Sequence, residues 1–408
     1  MSNPEPPPPP PPAGDGAPGE STTSGESTAA GESTAAGLLR TGITARFNPG
    51  SAALAVAAPV LALLFAALLS ALALVIAGKP VTGTFQTLWK YGTTPHNLIE
   101  IVNKATTYYL SGLAVAIGFR MNLFNIGVDG QYRIAAFFAA VIGAAAPLPG
   151  VLRIVLMIAV AMLVGASWAA IAAVLKVTRG VSEVISTIML NAIAGGIVAY
   201  LNAPGRLGKQ VTSNQISTDP LPANAWFPNF QLHDGVMYGF VLVAAAAGTA
   251  FWILLNRTRF GFDLKATGLS ETAAVASGVN VKRMVVYSML LSGAVAGLVG
   301  LPVLLSDVHY YGQDFPVGYG FTGIAIALLG RNHPVGIALG ALLWGFLERG
   351  SLFLETVRKV PPEIVTIMQG ATVLSVVIAY ELVRRYGLVQ QQKRVAAQLS
   401  ASGVEARA

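Results

Sequence analysis

The chain has 408 residues, of which 54% are hydrophobic and 11% are charged, and its net charge is +7. A soluble domain carries about 25% charged residues because its water-facing surface requires them. The shortage of charge excludes a soluble protein of two or three domains, since most of the surface must face something other than water. The composition therefore predicts a membrane protein.

Cysteine is absent, which excludes disulfides, thiolate metal sites and a catalytic cysteine. The four histidines are far apart and form no metal-binding pattern such as H-E-x-x-H, so no metal site is predicted. The basic residues flank apolar runs and form no polar patch. We attribute the positive charge to membrane topology rather than to nucleic-acid binding.

Residues 1–51 are predicted to form a disordered cytoplasmic tail. They contain seven consecutive prolines at 6–12 and three Gly-Glu-Ser-Thr repeats, which begin at Gly19, Gly25 and Gly31. Such a segment has almost no apolar side chain to bury, so nothing offsets the entropy of ordering it.

Residues 52–385 are predicted to be the transmembrane domain. The first apolar stretch, 52–77, is uncharged over 26 residues. It can cross a hydrocarbon core of about 30 Å, and it exceeds the roughly 7–15 apolar residues of a cleaved signal peptide. Nine further apolar segments follow, at roughly 105–119, 134–148, 154–175, 184–201, 236–255, 284–305, 317–330, 335–347 and 364–380.

Several of these segments are shorter than the roughly 17 residues that a simple span needs. Glycine or proline also interrupts them, as at Gly127, Gly130 and Pro334. Broken segments are expected where helices unwind or re-enter around a polar pathway. We predict an all-α polytopic membrane protein with about 8–10 transmembrane helices, some of them short or broken.

The basic residues predict that both termini are cytoplasmic. In this orientation 17 of the 26 Lys and Arg residues lie on the inner side, two of them in residues 120–133 and five in residues 256–283. This excess follows the positive-inside rule. Residues 386–408 then form a basic cytoplasmic tail.

The chain is not predicted to be an enzyme. An enzyme needs a cluster of nucleophiles, acids or metal ligands, and no such cluster is evident. The nearest fragment to a P-loop, residues 205–209, has the wrong spacing. If ATP drives this protein, a separate subunit hydrolyses it.

Polar residues in apolar surroundings are costly and are therefore functional candidates. Residues 123–131 place a carboxylate between amide side chains and two glycines, and the polar members are Asn125, Asp129 and Gln131. An unwound stretch of this kind can hydrogen-bond a polar solute. The alternative is a plain short cytoplasmic loop.

A second polar set follows at residues 182–191. On a helix Glu183, Thr187 and Asn191 recur every four residues and share one face. Such a stripe should point into the bundle. It either lines a pathway or joins helices by hydrogen bonds of about 0.6–2 kcal/mol each.

Two loops are candidates for partner contacts. Residues 256–283 are basic and contain a short helical run that ends at Gly278, which suggests a docking element. Residues 202–235 carry Trp226, Phe227 and Phe230, which either meet an external protein or pack onto the bundle.

These segments together resemble bacterial ABC-importer permeases of the ribose, branched-chain amino acid and nucleoside group. Residues 124–131 resemble the F-N-I-G-x-E-G-Q signature, with Asp129 in place of glutamate. Residues 183–191 resemble the E-V-I-S-T-x-M-L-N stretch of the nucleoside and simple-sugar members. Residues 272–278 resemble the A-A-x-x-x-G coupling loop, and residues 291–298 and 320–330 are also typical of the group.

The resemblance implies an inner-membrane importer subunit that forms the pathway for a small polar solute, most similar to nucleoside permeases. Implied partners are cytoplasmic ATP-binding subunits, a second permease subunit or second copy of this chain, an external solute-binding lipoprotein and membrane lipid, without cofactor or nucleic acid. The candidate pathway residues are Tyr108, Phe124, Asn125, Asp129, Gln131, Glu183, Thr187 and Asn191. The candidate ATPase-coupling residues are Glu271, Thr272, Ala273, Ala274 and Gly278.

Two alternatives remain open from the sequence. One is an ABC permease for a simple sugar such as ribose. The other is a secondary transporter driven by an ion gradient, which would need intramembrane carboxylates to carry protons or sodium. Apart from Asp129 and Glu183, both near segment ends, and the marginal Glu348, the apolar segments offer almost none.

Overall fold

The computed structural model describes residues 49–213 and 215–405. The predicted disordered tail, residues 1–51, lies outside these ranges except for its last three residues. The described residues from Val56 onward form one compact unit.

The described ranges are mainly helical, with two short hairpins. The helices are α1 (Pro49–Ile76), α2 (Val81–Gly92), α3 (Pro95–Phe119), α4 (Val128–Ala145), α5 (Gly150–Arg179), α6 (Glu183–Leu201), α7 (Phe240–Arg257), α8 (Arg259–Leu269), α9 (Glu271–Ala276), α10 (Val281–Gly297), α11 (Leu301–Val303), α12 (Tyr319–Leu329), α13 (Pro334–Arg358) and α14 (Pro362–Glu405). A π-helical turn, Leu304–Val308, continues α11. The strands are β1 (Lys209–Thr212), β2 (Gln215–Ser217), β3 (Phe230–Leu232) and β4 (Gly235–Met237), and a 3₁₀ turn lies at Ala223–Ala225.

Six segments in the described ranges are long and apolar enough to cross a membrane. They are α5, α6, α7, Val281–Val308, α13 and the first part of α14, Pro362–Val383. The predicted all-α polytopic membrane architecture is confirmed. Each of the ten apolar segments in the sequence lies largely within a helix, including the shorter apolar helices Val60–Ile76 and α12.

The centre of the bundle is a hydrophobic core around α3, α4, α5 and α10. Helices α5 and α10 approach closely because small residues face each other at their crossing. A Cβ added at Gly165 would overlap the backbone of Gly293, and one at Gly297 would overlap the backbone of Ala161. A second, smaller core joins α1, α2, α13 and α14 through residues that include Leu74, Leu88, Leu354 and Met368.

Helix α12 is short and begins inside the bundle. At about 1.5 Å per residue its 11 residues span roughly 16 Å, about half of a hydrocarbon core. The preceding segment, residues 309–318, is covered by the long loop between α6 and α7. That loop is fixed to it by backbone bonds from Thr218 to Tyr311 (3.0 Å) and from Leu221 to His309 (2.8 Å).

The long loop itself folds into two antiparallel hairpins. β1 pairs with β2, with Lys209 opposite Ser217, and β3 pairs with β4, with Phe230 opposite Met237. Phe227 packs edge-to-face on Phe240 at the start of α7, so this aromatic side chain contacts the bundle. Trp226 stacks on His309 with ring centroids 3.9 Å apart but remains 46% exposed.

Candidate functional site

The two polar motifs predicted from the sequence meet where α3 gives way to α4. Residues 120–127 are non-helical, and α4 begins at Val128. The Asn191 side chain of α6 spans this break: its amide oxygen accepts from the Gly130 N–H (2.8 Å), and its Nδ2 donates to the Ile126 carbonyl (2.9 Å). A Cβ at Gly130 would lie 2.8 Å from the Asn191 Cα, so only glycine allows this approach.

Asn125 is fully buried and joins three helices. Its Nδ2 donates to Gln131 of α4 (3.0 Å) and to Ser292 of α10 (2.8 Å). Ser292 in turn donates to the Ala114 carbonyl of α3 (2.6 Å). A buried polar network that is fully paired fixes the positions of its members. The Asn125–Gln131 pair therefore holds the unwound stretch against α3 and α10.

Asp129 supports the start of the short helix α12. Its Oδ1 accepts from the backbone N–H of Gly318 (2.8 Å) and of Gly320 (3.3 Å). The first N–H groups of a helix have no partner within the helix, and a carboxylate there also complements the helix dipole. A side chain on α4 thus provides the cap that the residues before α12 lack.

Glu183 and Thr187 bond within the protein as well. Glu183 Oε2 lies 2.6 Å from Lys176 Nζ, and Oε1 accepts from the Phe124 N–H at 3.4 Å. The Thr187 hydroxyl donates to the Glu183 carbonyl (2.7 Å). Phe124 itself packs edge-to-face on Phe119 and is 48% exposed.

The structure thus brings together seven of the eight candidate pathway residues. The predicted unwound stretch is present, and both motifs belong to one junction. The polar groups of Asn125, Asp129, Gln131 and Asn191 bond to protein atoms and hold broken helices in place. Whether any of them contacts solute stays a prediction.

The eighth residue, Tyr108, lies in a separate charged cluster. Its hydroxyl donates to Glu348 of α13, and its ring packs edge-to-face on Tyr319 of α12. Lys104 of α3 lies 3.5 Å from Glu348 and donates to the Tyr319 hydroxyl at 3.4 Å. Lys104 and Glu348 are half-buried, so the cluster is reachable from one side.

Lys104 was missed in the sequence because it falls one residue before the apolar segment 105–119. The structure extends the same helix back to Pro95, which places Lys104 within α3. A charge on a membrane helix is a functional candidate by default, together with its partner. The signal that could have found it was a lysine directly before an apolar segment, in a chain whose apolar segments hold few charges.

The predicted docking element is a short helix, α9, which is continued by a turn at Gly278. The Ser270 side chain accepts from the Ala273 N–H (3.3 Å), so α9 has an N-cap. Gly278 has φ +82°, a conformation that favours glycine. Glu271, Thr272 and Ala273 are exposed, whereas Ala274 is buried.

Apolar and basic groups surround α9 on the surface. Leu269 is 88% exposed and Val275 is 60% exposed. A cleft of about 280 Å³ lies beside the helix and is lined by Arg259, Phe262, Asp263, Ser277, Gly278, Val279, Asn280, Arg283, Met284 and Tyr287. Exposed apolar residues rimmed by charge are typical of a protein-binding surface.

A larger cavity, about 690 Å³, lies elsewhere, between α3, α7 and α13. Its lining is almost entirely apolar and includes Val102, Ala244, Trp252 and Leu342. A polar solute would find few hydrogen-bond partners there. Volume alone therefore does not locate the solute pathway.

Comparison with known proteins identifies the family. The family described as "Branched-chain amino acid transport system / permease component" matches residues 97–377. The guanosine ABC transporter permease protein NupP of Bacillus subtilis is 33% identical over 331 residues, 79% of this chain and 93% of the relative.

Two further relatives match over similar lengths. The glucose ABC transporter permease protein TsgB13 of Haloferax volcanii is 31% identical over 77% of this chain and 85% of its own length. The nucleoside ABC transporter permease protein NupB of Lactococcus lactis is 29% identical over 79% of this chain and 90% of its own length.

The family match includes every residue of the junction and of the Tyr108 cluster. These matches confirm the resemblance drawn from the motifs and decide against a secondary transporter or a membrane enzyme. The chain belongs to the family of ABC-transporter permease components, multi-pass proteins of the plasma membrane that leave ATP hydrolysis to separate subunits.

Proposed function

We propose that this chain forms, with a second permease subunit, the translocation pathway of an importer for nucleosides. The observation that carries the proposal is the match to the guanosine permease over 79% of the chain, which is supported by the match to a nucleoside permease. A simple sugar is the second candidate, because the glucose permease is similar to nearly the same degree.

The cytoplasmic partner is proposed to be an ATP-binding subunit that docks on α9. The support is the exposure of Glu271, Thr272 and Ala273 beside the exposed apolar Val275. Such a helix can transmit movement because its far end adjoins α10, which packs on α3, α4 and α5.

On the opposite side the hairpin loop is proposed to receive a solute-binding lipoprotein. Trp226 and Phe230 are 46% and 40% exposed there. The second permease subunit, homologous or a second copy, is proposed to cover the exposed apolar face of α6, which includes Ile185 and Met189. Lipid surrounds the rest, and the predicted terminal segments 1–51 and 386–408 extend into the cytoplasm.

The eight candidate pathway residues are proposed to border the solute route in two groups. The junction group, from Phe124 to Asn191, positions the broken helices. In the Tyr108 cluster the charged groups of Lys104 and Glu348 are reachable in the isolated chain, and the tyrosine hydroxyls are buried behind them. Broken helices with polar groups near their ends are the expected architecture of a solute path.

The test is uptake of radiolabelled solutes by cells that express the transporter, compared with cells in which only this chain is deleted. We expect the deletion to abolish entry of guanosine and of other nucleosides, with glucose entry unchanged. As a matched control, a variant of the ATPase subunit that binds but does not hydrolyse ATP should abolish the same uptake. Glucose uptake lost in place of nucleoside uptake would decide for the sugar importer.

A further inference from the structure

Arg133 occupies an unexpected position. In the sequence it was counted with the basic residues of an inner loop, and in the structure it lies on the second turn of α4 and is half-buried. Its guanidinium packs against α6 at a glycine, since a Cβ added at Gly195 would lie 3.3 Å from Nη1. The next residue, Gly196, has open space around it. Because neither glycine has a side chain, the surface of α6 is indented over the guanidinium.

The charge of Arg133 is incompletely satisfied. Its guanidinium lies close to Tyr311, and both residues line the same cavity, while Nε is buried and has no hydrogen-bond partner. Among the residues that the structure describes, no carboxylate forms an ion pair with Arg133, and Asp129 one turn earlier is engaged with Gly318 and Gly320. An unpaired cation in a membrane protein is expensive and is retained where function needs it.

Arg133 faces a small cavity of about 130 Å³ between α4, α6 and the segment that precedes α12. Asn202, at the end of α6, also lines it. This side chain is 4% exposed, and its Oδ1 is buried without a partner. The lining residues are Arg133, Gly195, Val198, Ala199, Asn202, Tyr311, Gly312, Gln313 and Phe315, of which Ala199 and Gln313 are exposed at the mouth.

The cavity therefore presents the guanidinium of Arg133, which has no carboxylate partner among the described residues, beside the side chain of Asn202, whose unpartnered Oδ1 is enclosed by protein. A hydroxyl oxygen accepts hydrogen bonds, so it can pair with the N–H groups of a guanidinium. At about 30 Å³ per water the volume corresponds to about four water molecules, comparable to one sugar ring but too little for a whole nucleoside. The stacked rings of Tyr311 and Phe315, 4.4 Å apart, provide a flat apolar wall.

We propose that this cavity is a pocket on the solute pathway for the sugar hydroxyl groups of the cargo. Arg133 donates to a hydroxyl oxygen, and the amide group of Asn202, which also lines the cavity, pairs with a second hydroxyl. The pocket rests on the proposed function. The pocket also gives a reason why one related permease is named for guanosine and another for glucose, because both solutes carry a sugar ring with adjacent hydroxyl groups.

The experiment measures uptake by the complete transporter in proteoliposomes, with guanosine, 2′,3′-dideoxyguanosine and glucose as separate solutes. We expect Arg133→Gln to lower guanosine uptake at least tenfold while dideoxyguanosine uptake changes less than twofold. Asn202→Leu should have the same solute-dependent effect. If glucose is the cargo, its uptake falls in both variants, and the free sugar is then the ligand of the pocket.

Arg153→Gln is the matched control. Arg153 on α5 is also buried with an unpartnered Nε, but it contacts Asn224 and does not line the cavity. It should leave the guanosine-to-dideoxyguanosine ratio unchanged. Equal losses for both solutes in Arg133→Gln and Asn202→Leu would overturn the pocket and leave the proposed function intact. Failure of the wild-type transporter to import any of the three solutes would overturn both.

Discussion

At the scale of single residues, Asp129 shows how one side chain can hold a broken helix. Its carboxylate takes two backbone N–H groups at the start of α12, a position where the chain supplies no cap of its own. The sequence identified Asp129 as important because a carboxylate lies among apolar segments. It could not reveal the partner, since Gly318 is 189 residues away and nothing local links the two.

We predict that Asp129→Ala destabilises the protein by about 1–3 kcal/mol, because two N–H groups at the buried end of α12 lose their acceptor. The measurement is thermal unfolding of the detergent-solubilised protein. Asp219→Ala is the control, since the Asp219–Lys209 pair is exposed and worth at most about 1 kcal/mol. Equal effects of the two substitutions would contradict the capping role.

At the scale of helices, the sequence predicted most of the helices and missed two of them. Apolar runs located the ten main helices because hydrophobic length decides what can cross lipid. Helices α2 and α8 were missed, since Thr, Gln, Lys and Asp side chains interrupt their apolar character. The hairpins and the contact between the 124–131 and 183–191 segments depend on tertiary packing, which no local pattern encodes.

The crossing of α5 and α10 gives a prediction at this scale. Gly165→Leu should separate the two helices, because even a Cβ there overlaps the Gly293 backbone, and the loss should reach several kcal/mol, above the usual 1–3 kcal/mol of overpacking. Gly196→Ala on α6 is the control, since nothing lies within 4 Å of its added Cβ. Its expected effect is neutral or a gain of up to about 1 kcal/mol in helix propensity. Thermal unfolding in detergent separates these outcomes.

At the scale of the whole molecule, the chain is one subunit of a larger transporter complex. Its surface presents exposed apolar residues both on spanning helices and on the two faces outside the membrane. Those on the spanning helices can face lipid, but those on α9 and on the hairpin loop would face water in an isolated subunit. Exposed apolar groups outside the bilayer therefore indicate protein partners.

A matched pair of valines tests the cytoplasmic partner. Val275 on α9 is 60% exposed, and Val211 on β1 is 59% exposed at the other end of α7. We expect Val275→Asp to abolish co-purification of the ATPase subunit and solute uptake, whereas Val211→Asp retains the ATPase. Neither should change thermal stability by more than about 0.5 kcal/mol, since both sites are on the surface. Retention of the ATPase by Val275→Asp would place its docking surface elsewhere.

The half-length α12 has a consequence for how the protein is made. Eleven residues are too few to be recognised as a span of about 17–25 residues when the nascent chain enters the bilayer. Segments on either side, Val281–Val308 and α13, are long enough to insert by themselves. We therefore expect α12 to take its position only after these neighbouring segments have inserted into the lipid. The carboxylate on α4 can then cap the amino end of α12.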